Sequence, residues 1–219
     1  NRIPAMNNKH MINPNSTQHN VPAWTIFAMF FMVISLGSNI VKERVNGSFL
    51  RLKTMPTNYI HILSAKLLVY MLVAVLQFAL IFSIGMLIFP LINLPKLILP
   101  SAFSAFIVMM LMCSLAAVSY ALMIGALSKT QEQSNGIGAI SIIIFSALGG
   151  ILVPTFIMPM YLQVISYFSP MHWCLEGFYI LFLKGGSWVQ LFPVIGFLFI
   201  FIVVCQITTY AKLKLEKLI

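Results

Sequence analysis

Five long apolar runs, residues 23–41, 60–89, 97–127, 135–153 and 189–211, constrain this chain more than any other feature of its sequence. A helix that crosses a bilayer needs roughly 20 apolar residues, and every run lies close to or above that length. Segments carrying charge, Pro or Gly separate the runs, so they read as five spanning helices. Composition agrees: 60% of the residues are hydrophobic, 8% are charged and Asp is absent, against about a quarter charged in soluble domains. The expected fold is an all-α integral membrane protein, a single membrane domain over residues 22–219 with no room for a second folded unit. The second and third runs exceed the span length, which predicts tilt or continuation of the helix into water. Lys66, near the start of the second run, is expected to snorkel to the headgroups.

Charge sets the orientation. Lys42, Arg44, Arg51, Lys53, Lys129, Lys212, Lys214 and Lys217 fall on one side of the runs, and Arg2, Lys9, Lys96 and Lys184 on the other. The side richer in Lys and Arg is expected in the cytoplasm, which leaves the N-terminus outside. Residues 1–21, rich in Asn and His, then read as the end of an extracytoplasmic segment. A chain that begins outside on Asn1, with neither signal peptide nor first anchor, is expected to lack upstream sequence holding at least one more span. The net charge of +9 follows from these flanking cations and their attraction to lipid headgroups. No basic, aromatic-interleaved surface suited to nucleic acid lies outside the runs. His10 and His19 lack a third metal ligand, and Cys113, Cys174 and Cys205 are widely spaced, so the cysteines are expected as small apolar residues inside helices.

The interval KERVNGSFLRLKTMP, residues 42–56, interrupts the first two runs. Asn46 and Gly47 make a turn, Ser48 is a good N-cap, residues 49–55 can form two short turns of helix, and Pro56 stops it. Phe49, Leu52 and Met55 share one face at helical spacing, whereas Arg51 and Lys53 point elsewhere. Such a helix suits a partner's groove with charge at the rim, and it equally suits the surface of anionic lipid.

Residues 154–187 form a second irregular region. Pro154, Pro159 and Pro170 break it into short pieces, and Met171, Cys174, Leu175, Phe178, Leu181 and Phe182 recur at three and four, with His172, Glu176 and Tyr179 nearer the opposite side. A helix of ~12 residues is too short to span. Trp173, Tyr161, Tyr167 and Trp188 are expected at headgroup level. Irregular backbone at membrane depth survives only where protein or water covers it, so Pro154, Pro159, Pro170 and Trp173 mark a candidate outer gate built of short re-entrant helices. Glu176 reads as a solvated helix face or a cation site, the first favoured by the lack of an acidic partner inside the membrane. His172 reads as a polar anchor at the interface.

Enzymatic chemistry has no footing. The chain holds no G-x-x-x-x-G-K-[ST], H-E-x-x-H or G-x-S-x-G motif and no carboxylates poised as an acid–base pair. Tyr70 and Gln77 in the second run and Ser114, Ser119 and Tyr120 in the third are expected to bond to their own backbone or to a neighbour. Gly37, Ser38, Gly125, Ala126, Gly136, Gly138, Gly149 and Gly150 would let backbones approach closely, within the bundle or across a two-fold axis.

Glu43, Gly47, Ser48 and Pro56 in the 42–56 interval resemble the E-x-x-x-G-[TS]-x-x-x-x-L-x-x-x-P loop of ABC-2 type transporter permeases, the membrane halves of many bacterial ABC exporters. The polar link LSKTQEQSNG at residues 127–136 is similar to the connection before the fifth of their six helices. The GGILVP at residues 149–154, followed by Pro159, Ser169, Pro170, His172 and Trp173, looks like their outer region of broken helices. The resemblance implies that the five runs are the second to sixth spans of six. It also implies that residues 42–58 couple to an ABC ATP-binding subunit, through Glu43, Arg44, Gly47, Ser48, Phe49, Leu52 and Pro56. ATP and Mg would bind in that subunit, with no cofactor in this chain, and a second permease half, identical or different, would complete the assembly in the bacterial inner membrane. The cargo path would follow the first, second and fifth spans, with Phe27, Phe30 and Phe31 on it, a lining suited to an amphipathic, hydrophobic or lipid-linked molecule. An ATP-independent transporter or channel would instead call for intramembrane ionisable groups or an internal repeat. A membrane scaffold would need the basic loop and no outer gate.

Overall fold

The computed structural model describes residues 16–46, 59–100, 102–182 and 188–215. Among them the helices are α1 (Ser16–Phe30), α2 (Met32–Val45), α3 (Tyr59–Ser83), α4 (Phe103–Leu127), α5 (Gln131–Leu148), α6 (Met160–Ser166), α7 (Pro170–Phe182) and α8 (Trp188–Leu215), and no strand occurs. Four helical stretches are long and apolar enough to cross a membrane: Thr17–Val45, made of α1 and α2, Leu63–Leu91, Phe103–Leu127 and Trp188–Leu215. The expected count of five is four by this measure. The fourth run supplies α5, which opens on the polar residues Gln131, Glu132 and Gln133 and so falls short in apolar length.

Local chemistry explains the boundaries. α1 passes into α2 through a single turn residue, Phe31, bridged by hydrogen bonds from Phe31 N to Phe27 O (3.1 Å) and from Ile34 N to Phe31 O (3.1 Å). The first span therefore runs longer than residues 23–41, and α1 continues through Pro22 although that residue has no N–H to give to the preceding turn. After Ser83, α3 widens into a π-helical stretch, Ile84–Ile88, and ends in a turn over Phe89–Leu91. In a π register the carbonyl of Gly85 would bond the nitrogen of residue 90, but Pro90 has no N–H. Leu97 N, from the following loop, takes that carbonyl at 3.3 Å. The third run begins its helix at Phe103 rather than at residue 97, since Pro95 and Pro100 hold the preceding chain extended.

α5 starts earlier than residue 135 because Thr130 caps it, accepting from Gln133 N at 3.1 Å, while Gln133 Oε1 accepts from Lys129 N at 2.7 Å. It stops at Gly149 because Gly150 has φ of +90°, a left-handed conformation that glycine tolerates. Pro154, Pro159 and Pro170 each stand at the start of a short element: the 3-10 turn Thr155–Ile157, α6 and α7. A residue with fixed φ and no N–H fits those positions at no loss of hydrogen bonding.

α4 is the central helix, with 61% of its apolar window buried against 22% for Leu63–Leu91 and 28% for Trp188–Leu215. α1, α2, α3, α5, α7 and α8 all pack on it. The outward face of α3 is a stripe of Leu68, Leu72, Leu76 and Leu80, all exposed. A stripe of that kind faces lipid tails in a membrane protein, where it would be a liability in water.

Close backbone approach builds the bundle. A Cβ on Gly125 would lie 2.9 Å from Gly37 O and 3.0 Å from Gly37 Cα, which marks the α2–α4 crossing. Gly37 also faces Ser134, and Gly138 faces Val33, so α5 runs antiparallel along α2. α7 lies antiparallel along α4: Phe106 meets Phe178 and Phe182, and Gly177 meets Met109. Small residues at these positions act within the bundle, as membrane helix packing requires. Gly136 is different, with nothing near its missing side chain.

Candidate functional site

Of residues 42–58, expected from the resemblance to couple to a partner, the described part is the end of α2. Here the side chains of Glu43 and Arg44 turn into the bundle. Glu43 forms an ion pair with Lys66 of α3 at 2.5 Å, with both side chains largely covered. Lys66 thus has a protein partner at the depth where the sequence suggested headgroups. Arg44 donates to Ala126 O at 3.1 Å and also to Ser128 O, carbonyls at the C-terminal end of α4. That end carries the negative pole of the helix dipole and carbonyls without helical partners, so a guanidinium satisfies both. Ser128 Oγ donates to Ile124 O at 2.7 Å and closes the same turn. α2, α3 and α4 are therefore joined at one end by a pair of adjacent residues. Gly47, Ser48, Phe49, Leu52 and Pro56 lie outside the described residues.

An Arg44→Met variant keeps the length of the side chain and removes its donors. It is expected to lose about 1–3 kcal/mol of stability, because the carbonyls at the end of α4 lose a charged partner. Thermal unfolding followed by thiol labelling would measure it, since Cys113, Cys174 and Cys205 are all free and buried.

At the opposite end, α7 buries Met171, Cys174, Leu175, Phe178, Leu181 and Phe182 and leaves His172, Glu176 and Tyr179 half-buried. The amphipathic stripe read from sequence is the packing face of this helix. Ser169 Oγ donates to Phe145 O at 2.8 Å, which pins the start of α7 to the end of α5. Trp173 Nε1 donates to Tyr167 O at 2.7 Å, and its ring stacks on Phe197 of α8 at 4.0 Å. Pro154 is half-buried, Pro159 is exposed and Pro170 is buried. A polar cavity of about 310 Å3 lies among these pieces, lined by Tyr167, His172, Trp173 and Glu176 with Thr155, Gln163 and Ser166. α6 and the turn after it show apolar side chains outward, Met160 and Phe168 being 83% exposed.

Phe30 is fully buried against Tyr120. Phe27 and Phe31 are half-buried and meet edge to face at 4.8 Å, with Trp24 beyond them. The three candidate path residues are thus divided between core and partly open surface. His19 pairs with Tyr179: their rings stack at 5.5 Å and Nδ1 meets the phenol oxygen. No group of three or more metal-ligating residues occurs among the described residues. Ser114 Oγ donates to Met110 O, Gln206 Nε2 to Ser119 Oγ, and Asn39 Nδ2 to Tyr70 OH, so these polar groups bond to backbone or neighbour as expected.

Sequence reading missed the aromatic core. Phe78 and Phe82 on α3, Phe106 on α4, and Phe178 and Phe182 on α7 form one buried cluster, with Phe78 and Phe82 stacked at 4.0 Å. The available signal was the repeated spacing of four in two separate segments, which places both rings of each pair on one helix face.

Long apolar helices with lipid-facing stripes, tied at one end by half-buried charge and broken into short pieces at the other, define a multi-pass membrane protein. Residues 4–211 match the family described as ABC-2 family transporter protein, and the chain belongs to that family. It is accordingly a membrane permease component of an ABC transporter, and membership implies association with an ABC ATP-binding subunit. No curated protein matches the chain.

Proposed function

We propose that this chain is the permease half of an exporter in the bacterial cytoplasmic membrane, paired with a second permease half and driven by ATP hydrolysed with Mg in a separate subunit. The observation that carries this reading is the tie of α2 to its neighbours. Residues 42–58 are the coupling segment, and a push on them reaches α3 through Glu43 and Lys66 and α4 through Arg44. A linkage of paired, half-buried side chains between packed helices transmits displacement, whereas a mobile surface loop would absorb it. The end that holds this linkage also carries Lys129, Lys212 and Lys214, in keeping with a cytoplasmic location.

The outer side fits a broken fifth crossing. α5 ends where Gly149 meets Met171 and the backbone of His172, and α7 continues from there to Tyr179 beside His19, near the start of the first span. Together α5 and α7 run the length of that span, with α6 laid beside them as a re-entrant piece. Pro154, Pro159, Pro170 and Trp173 would form the outer gate. Phe27 and Phe31 would line the cargo path with Phe30 packed behind them, and a largely apolar lining suits an amphipathic, hydrophobic or lipid-linked cargo.

Purification of the full gene product from detergent, beside a Gly47→Pro variant, tests the coupling assignment. An ATPase subunit is expected with the wild type and lost with the variant, along with its ATP hydrolysis. Well-folded wild type without any ATPase would make the chain an ATP-independent membrane protein.

A further inference from the structure

A cleft of about 500 Å3 lies between α2 and the first half of α3, lined by Asn39 with Ala65, Lys66, Val69, Tyr70 and Val73. The α3 positions recur at three and four, so they form one stripe of that helix. Two polar ties a helical turn apart join the helices here: Glu43 to Lys66, and Asn39 Nδ2 to Tyr70 OH at 3.2 Å. Lys66 stands near the start of the apolar span Leu63–Leu91, which places it at headgroup level. Val73 lies about 10 Å deeper, at 1.5 Å of helix per residue, and both Val69 and Val73 are exposed. The cleft therefore has a polar end at the membrane surface and an apolar end open to the hydrocarbon.

The polar end is rich in donors. Both carboxylate oxygens of Glu43 lie 2.5 Å from Lys66 Nζ, so the charge of Lys66 is compensated, yet at least one of its N–H groups is left over. Tyr70 OH accepts from Asn39, which leaves the phenol proton, and Asn39 Nδ2 keeps a second N–H. No carboxylate is among the lining side chains, and Asn39 Oδ1 is their chief acceptor. What the cleft offers is thus a set of hydrogen-bond donors rather than net charge. Its complement carries several acceptor oxygens close together and an apolar chain behind them. A phosphodiester on a hydrocarbon tail has both, and its bonds from Lys66 and Tyr70 would be charge-assisted.

We propose that this cleft binds the phosphodiester of a glycerophospholipid from the leaflet at the Lys66 end, with one acyl chain laid along Val69 and Val73. The volume of about 500 Å3 takes the phosphoglycerol head and the first part of a chain and leaves the rest in the bilayer. A free phosphate ion has no chain for the apolar end, and it would give up its water for a cation whose charge Glu43 already balances. The lipid is therefore the occupant that fits both ends. The assignment stands on the cleft alone and holds whether or not an ATPase drives the chain.

The test uses the full-length protein, stripped of lipid in detergent and titrated with phosphatidylglycerol carrying a photoreactive diazirine on one chain, beside diacylglycerol with the same chain. Mass spectrometry after illumination compares labelling at Val73, in the cleft, with labelling at Leu72 and Leu76, on the exposed stripe of α3. Saturable labelling of Val73 is expected with phosphatidylglycerol at a half-saturation at least tenfold below that of diacylglycerol, whereas Leu72 and Leu76 should label without preference. Tyr70→Phe keeps the ring and removes one donor, and it should raise the half-saturation about tenfold. Val69→Trp fills the apolar end without touching either polar tie, and it should abolish the preference at Val73 even if Tyr70→Phe fails to fold. Equal half-saturation of the two lipids at Val73 reduces the cleft to ordinary contact with bulk lipid and overturns the proposal, as does an unchanged half-saturation in either folded variant. Inorganic phosphate that competes as well as unlabelled phosphatidylglycerol would overturn it too, because the site would then read the phosphate without its chain.

Discussion

Replacing Gly125 by leucine is expected to remove about 3 kcal/mol or more of stability and to reduce the yield of folded protein sharply. The new Cβ would stand 2.9 Å from Gly37 O, 3.0 Å from Gly37 Cα and 3.0 Å from Ile40 Cβ. Two of these atoms belong to the backbone of α2, which cannot swing aside as the tip of a side chain can. Overpacking a core costs about 1–3 kcal/mol when side chains can adjust, so separating two helix backbones lies at or above the top of that range. Total stabilities of about 5–15 kcal/mol make this a large fraction. Gly136→Leu is the matched control: its Cβ meets nothing within 4 Å, and the gain in helix propensity should leave stability unchanged or raise it by about 0.5–1 kcal/mol. Thermal unfolding read by thiol labelling compares the two. Equal melting of Gly125→Leu and wild type would rule out the α2–α4 crossing.

Phe178→Ala is expected to cost about 3 kcal/mol, near the lower end of the range for buried Phe truncations. Its ring is fully buried and packs near Phe78 at 5.6 Å, Phe106 at 6.0 Å and Phe182 at 6.3 Å. The lower end applies because membrane helices associate through packing rather than through expulsion of water, so the cavity contributes more than the transfer of the ring. Loss of that ring should loosen α7 from α3 and α4 first. Cys174 on α7 is therefore expected to label at a lower temperature than Cys205 on α8, whereas Phe168→Ala, at a position 83% exposed, should change neither. Simultaneous labelling of both cysteines in Phe178→Ala would argue against a separable α7.

Residues 171–182 illustrate what patterning reveals. Each apolar position assigned to their packing face is buried, because a helix on a bundle surface must place its spacing of three and four against its neighbours. The three prolines of the outer region likewise marked real starts of short elements. The beginnings of the longer helices were less legible. Whether the third helix starts at residue 97 or at Phe103 depends on where Leu97 sends its N–H, and its acceptor, Gly85 O, lies in the preceding helix. Arg44 was counted as a flanking cation and Lys66 was expected to snorkel to the headgroups, and their partners, the end of α4 and Glu43, are distant in the chain. Gly125 and Gly136 looked alike in sequence, yet one sits in a helix crossing and the other in open space.

The apolar runs by themselves determined that the chain is a helical membrane protein, and its polar interruptions determined where it resembles a permease. Both are properties of local sequence, since a helix in lipid satisfies its backbone within one segment. Only the tertiary structure decided which glycines join helices, which charges are paired and which aromatic rings line the outer cavity. Those outcomes rest on residues brought together from separate segments, and no periodicity within a single segment encodes a partner in another.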